Sequence, residues 1–97
     1  MVENIDDVTL DIEEDGELVV ETLDKKLLSK GAWSTVLFKF REWDNRKDEM
    51  GPVKYTIRRY RKLKGVYRQQ SKFNISSHKQ ARKLVDFLEE WLKEYED

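Results

Sequence analysis

Residues 54–72, KYTIRRYRKLKGVYRQQSK, carry eight lysines and arginines, three tyrosines and no carboxylate. Cations at this density create a field that attracts polyanions, and flat rings among them offer faces on which unpaired bases stack. The chemistry on offer is therefore binding of a phosphate-bearing chain. Catalysis has little to work with. His78 is the only histidine and falls at the expected start of a helix, where a solvated residue belongs. The chain has no cysteine, which removes disulfides, thiolate metal sites and a cysteine nucleophile together. The acids of IDDVTLDIEED lack the ordered spacing and the glycine of a calcium loop. There is no phosphate-cradling glycine loop, and no serine is set with a histidine and an acid to activate it. We expect no enzyme, no metal and no cofactor.

The formal net charge of -1, from 19 bases and 20 acids, hides a block arrangement. Residues 1–24 hold ten acids and no base, residues 25–72 fifteen bases against four acids, and residues 73–97 four bases against six acids. Blocks of one sign keep their local field when the total cancels, so the asymmetry concerns partners. For any single run of charge the bland reading, a solvated face and a solubilising tail, is the commoner one, and the question becomes whether the fold gathers the cations.

Ninety-seven residues are one ordinary domain with one core. The charged fraction of 40% is high, yet 38% hydrophobic and 11% aromatic residues supply enough core material for a folded chain. No apolar run approaches the ~20 residues that span a bilayer, and the acidic start is the opposite of a signal peptide. The expected location is cytoplasmic, with no membrane partner.

The elements that must position these cations follow from periodicity. Residues 1–15 read as a flexible acidic arm with scattered apolar residues, and residues 16–97 as a single β-β-β-β-α domain. ELVVETL (17–23) is β-branched and reads as a strand; KGAW marks a turn. In STVLFKFREW (34–43), Val36, Phe38 and Phe40 alternate with Lys39 and Arg41 at period two. DNRKDEMGP (44–52) reads as a mobile loop. VKYTIRRYRKLK resumes the alternation, with Val53, Tyr55 and Ile57 on one side. A hairpin at Lys64 and Gly65 leads into VYRQQSKFNIS (66–76), with Phe73 and Ile75 inward. From residue 78 the period changes. Ala81, Leu84, Val85, Leu88, Trp91, Leu92 and Tyr95 fall on one side of an α-helix, and Ser77 with Gln80 fits a capping box. Phe87 widens the apolar sector beyond one stripe, which points to a second contact and makes Phe87, Trp91 and Tyr95 dimer-interface candidates.

The expected architecture is α+β: a four-stranded antiparallel curved sheet with the C-terminal helix packed on one face and the other face open to water. With the inward residues of every strand under the helix, Lys39, Arg41, Trp43, Lys54, Arg58, Tyr60, Lys62, Arg68 and Lys72 share the open face as the candidate nucleic-acid-binding set. Arg59 and Arg61 have the inward parity and belong past the helix edge or beside a bulge.

Four strands followed by a helix, with SKFNISSHKQARKLVDFLEEW across the last strand and the helix, resembles the superfamily of the Pur-alpha repeat, the positive cofactor four domain and the Whirly proteins. Ser71, Lys72, Phe73, Ile75 and Ser76 resemble the last strand of a Pur-alpha repeat. Ala81, Leu84, Asp86, Phe87, Leu88, Trp91 and Leu92 resemble its helix, with one extra residue between the two. The resemblance implies single-stranded DNA or RNA on the sheet and a homodimer.

Two functions are expected in competition. The first is a non-enzymatic binder of single-stranded DNA or RNA. The alternative is a protein-interaction module whose basic hairpin docks on an acidic partner; a pull-down partner that survives nuclease treatment selects it. A loose acidic arm would compete with phosphates for the basic sheet, and its deletion would then tighten binding.

Overall fold

The computed structural model describes residues 2–96. After a single 3-10 turn at Ile5–Asp7 the chain forms β1 (Ile12–Glu14), β2 (Glu17–Ser29), β3 (Trp33–Asp44), β4 (Glu49–Met50), β5 (Lys54–Leu63) and β6 (Val66–Ile75), then α1 (His78–Leu92) and a 3-10 turn at Lys93–Tyr95. The sheet runs β1-β2-β3-β5-β6, with β4 also paired to β3, and every pairing is antiparallel. The α+β class and the strand-then-helix order agree with the expectation; the count of four does not, because β1 and β4 are added. Both are short pieces beside turns. Asp15-Gly16 and Lys64-Gly65 each place two residues at positive φ (53° and 82°, 52° and 82°), the requirement of a two-residue hairpin turn whose twist suits the strands. The segment expected as a mobile loop closes a hairpin instead: Trp43 pairs with Met50 and Asp44 with Glu49. Gly51 donates its N–H to the Glu42 carbonyl at 2.7 Å, and a β-carbon there would stand 3.1 Å from that same oxygen, so a larger residue would push the two strands apart by a few tenths of an ångström.

The register decides which side chains share a face, since directly paired residues of an antiparallel sheet point the same way. Ser34, Val36, Phe38 and Phe40 of β3 pair with Tyr60, Arg58, Thr56 and Lys54 of β5. Thr56 and Arg58 pair in turn with Asn74 and Lys72. The other face carries Leu37, Lys39 and Trp33, paired with Ile57, Tyr55 and Arg61. The parity that puts Phe38 inward therefore puts Tyr55 and Ile57 on the opposite side from it. The expectation that all inward residues lie under the helix is overturned, and the reason is that neither face is open: each has its own apolar cover.

One cover is the N-terminal segment. Residues 2–12, expected as a loose arm, cross the face that bears Val36 and Phe38 as a docked strap. Val2 bridges Tyr67 at the β6 edge, Ile5 and Val8 are buried against Val36, Phe38, Tyr60 and Tyr67, and Ile12 reaches β2 at Val20. Polar contacts hold the strap in place. Leu10 N–H donates to Thr22 Oγ1 (2.8 Å) and Thr22 N–H to Asp11 Oδ1 (2.7 Å). Lys25 Nζ donates to the carbonyls of Asp6 and Val8, and Lys30 pairs with Asp6 (3.1 Å). Ile5 is 1% exposed, as buried as any strand residue.

The other cover is α1, and it is incomplete. Ser77 caps it by accepting from Gln80 N–H at 3.0 Å, while Gln80 Oε1 accepts from Ser76 N–H at 2.7 Å, close to the expected box but returning to Ser76. The Tyr55 and His78 rings lie 5.3 Å apart. Ala81, Leu84, Val85 and Leu88 then face Leu37, Tyr55, Ile57 and Ile75 across an open groove of about 590 Å³. No helix residue is buried. The helix is thus beside the sheet face, leaving its stripe half covered.

Candidate nucleic-acid interface

The structure divides the nine sequence-predicted site residues. Lys54, Arg58, Tyr60, Lys62 and Lys72 share the strap face, by the pairings Val36 with Arg58, Ser34 with Tyr60, Lys62 with Tyr67 and Arg58 with Lys72. Lys39, Arg41 and Trp43 point to the helix side, since Lys39 pairs with Tyr55 and Arg41 lies two residues on. Arg68 joins that side by pairing with Arg61. The single basic face does not exist. Arg41 is engaged by Glu21 (3.0 Å) and Lys54 faces Glu42 (3.8 Å). Tyr60 is buried in the core rather than displayed. Trp43 stands near the acidic turn, with Glu14, Glu17 and Glu21 around the same depression.

What the fold does gather is the β5–β6 hairpin, whose outer strand β6 is an edge of the sheet. Arg58, Lys62 and Lys72 lie on its strap side, Arg59, Arg61 and Arg68 on its helix side, and Lys64 in its turn. None of these seven pairs with a carboxylate among the described residues. Arg58 is half-buried and held by Thr56 Oγ1 (3.2 Å) and Gln69 Oε1 (2.7 Å); the other six are exposed. A register shift after Arg59 leaves Gln70 of β6 unpaired: Arg59 and Arg61 share one side by period two alone, and the bulge is what sends Arg68 to that same side and Tyr67 to the strap side.

Trp33, read only as part of a turn, is the aromatic centre of this end. It pairs with Arg61, is exposed, and carries the guanidinium of Arg59 at 4.3 Å and that of Arg61 at 5.3 Å from its ring centroid. Such stacking pre-orients the forks and adds about 0.5–1 kcal/mol each at exposed sites. The residues missed by parity reasoning are Trp33, Arg59, Arg61 and Lys64. The usable signal was Arg59-x-Arg61, two cations on one face within a strand whose neighbour begins with tryptophan.

Charge is also sorted along the strands. The β2–β3 and β5–β6 turns lie at one end, since Trp33 meets Arg61 there; the β1–β2 turn with Glu13, Glu14, Asp15 and Glu17 lies at the other. Ten residues of β3 separate Trp33 from Trp43, about 33 Å of extended chain. The end with the β5–β6 turn is thus basic and the end with the β1–β2 turn acidic, although the strap carries Asp6 to Lys30 at the basic end.

No family model, curated protein or solved structure matches this chain.

Proposed function

We propose that this protein binds single-stranded DNA or RNA without catalysing a reaction, the strand lying over the β6 edge where both sides of the hairpin are within reach. The observation that carries the reading is the set of seven cations on one edge hairpin with no carboxylate partner among the described residues, two of them, Arg59 and Arg61, stacked on the exposed Trp33. Cations engage phosphates, and rings accept unstacked bases. Duplex readout fits less well: α1 carries Lys79, Arg82 and Lys83 against Asp86, Glu89 and Glu90, so no basic helix is presented to a groove. The resemblance to the Pur-alpha, positive cofactor four and Whirly superfamily supports the same reading, and a cytoplasmic location is part of it. Titration of a labelled single strand at several salt concentrations tests it. With about five phosphates engaged, the logarithm of affinity should fall with the logarithm of salt at a slope of about -3 to -4. Absence of binding at low salt, or duplex bound as tightly as single strand, would end the proposal.

The proposal includes a homodimer through the uncovered helix. Phe87, Trp91 and Tyr95 are exposed, Trp91 at 66%, and each large apolar side chain that a partner covers contributes about 1.5–3 kcal/mol. An apolar helix stripe beside an apolar groove is self-complementary in the way a twofold contact requires. Sedimentation velocity should show a dimer for the native chain and a folded monomer for Trp91→Glu, because that side chain contributes little to the single chain's own core. A native chain that sediments as a monomer at all concentrations would remove the dimer.

A further inference from the structure

A second cavity lies beside the strap. It is an open cleft of about 800 Å³ bounded by residues 7–12 on one side and by β3, β5 and β6 on the other, a size ordinary for a small-molecule site. Its apolar wall includes Val8, Leu10, Phe40 and Tyr67, and its polar groups are of mixed kind. Asp7, Asp11 and Glu42 offer acceptors and Arg58 offers donors; Arg68 borders the cleft where β6 passes, although its pairing with Arg61 sends its side chain to the helix side. The Gln69 amide oxygen is taken by Arg58, and its N–H₂ has no partner among the described residues. Tyr60 lines the same cleft and is 5% exposed. Its hydroxyl makes no hydrogen bond among the described residues, and no fully buried side-chain nitrogen or oxygen among them lacks a partner, so that hydroxyl keeps some exposure to the cleft. Burial holds the phenol above its ordinary pKa against the opposing pull of Arg58; like any tyrosine it is a donor at neutral pH.

We propose that this cleft receives one nucleobase of the bound single strand and prefers cytosine or adenine, whose exocyclic amino group stands beside an accepting ring nitrogen, over thymine or uracil. The inference rests on the single-strand reading above and adds base preference to it. A phosphate gains little here: the three carboxylates face one guanidinium, that of Arg58, with Lys54 beside Glu42, whereas the exposed hairpin just outside is purely cationic. A flat heterocycle matches better, because it carries donors and acceptors on an apolar body. Cytosine and adenine each present an amino group next to a ring nitrogen that accepts, so a carboxylate can take the first while Arg58 or Tyr60 donates to the second. Thymine and uracil present a single N–H between two carbonyl oxygens, so they can satisfy only one of the three carboxylates, where an amino group brings two N–H donors. Lys62 and Lys72, on the same side of the sheet, are placed to hold the flanking phosphates.

The test compares short oligo(dC), oligo(dA) and oligo(dT) of equal length by fluorescence anisotropy, with the native protein and with Tyr60→Phe. Oligo(dC) and oligo(dA) are expected to bind about tenfold tighter than oligo(dT), the worth of one buried hydrogen-bonded pair. Tyr60→Phe should weaken oligo(dC) and oligo(dA) by about three- to tenfold and leave oligo(dT) unchanged, with the thermal midpoint recorded to show that the variant is folded. Equal affinity for all three in the native protein overturns the cleft assignment whatever the variant does, and leaves the single-strand reading standing. Failure of every oligonucleotide to bind overturns both.

Discussion

Ile5→Ala should lower the free energy of unfolding by about 2–5 kcal/mol, the range for truncating a fully buried branched side chain to alanine. Ile5 is 1% exposed and packs with Val8, Val36, Phe38, Tyr60 and Tyr67. A domain of this size has roughly 5–15 kcal/mol to lose, so this one change removes a large share, and each kcal/mol moves the midpoint by about 4–8 °C. The cost lies toward the upper part of the range if the strap lifts, because Val36 and Phe38 then meet water. Urea or thermal unfolding measures it. A loss below about 0.5 kcal/mol would show that the strap is not part of the core. The same packing reverses the expectation for deleting residues 1–15: instead of a bare basic sheet that binds more tightly, deletion should give an unfolded or aggregating chain, since the removed segment is one of the two layers that cover the sheet.

Charge reversal of both Arg59 and Arg61 to glutamate should weaken single-strand binding on the order of 100-fold at 0.1 M salt. Each lost phosphate contact removes a factor of about five at that salt, and the two new carboxylates repel the strand as well. The salt slope should shrink by about 1.4 at the same time. Stability should change little, because both side chains are exposed and only their stacking on Trp33, about 0.5–1 kcal/mol apiece, is lost. Lys79→Glu with Lys83→Glu makes the same net change on a different element, α1, which lies outside the hairpin. If that control lowers affinity as much, the molecule's overall charge, rather than the Trp33 cluster, governs binding. Arg58 is a poorer probe than it looks from the sequence, because its bonds to Thr56 and Gln69 tie it to the buried part of the sheet.

Local periodicity and turn chemistry determined a good deal here. The helix from His78, its serine cap, the Lys64-Gly65 hairpin, the long strands and the crowding of cations into residues 54–72 all depend on residues close together in the chain, and all are present in the fold. The faces were another matter. Period two says that Phe38 and Lys39 point oppositely, yet nothing within a strand says which side of its neighbour that matches; a shift of one residue in register exchanges the two faces of a whole strand. Leu37 between Val36 and Phe38 was a sign of a strand covered on both sides, and the scattered Ile5 and Val8 of an acidic segment were its second cover. Tertiary pairing alone decided that Lys39, Arg41 and Trp43 part company with Lys54, Arg58 and Lys72, that Trp33 meets Arg59 and Arg61, and that a cleft opens beside the strap, because these relations are made by hydrogen-bond register and long-range burial between residues far apart in the chain.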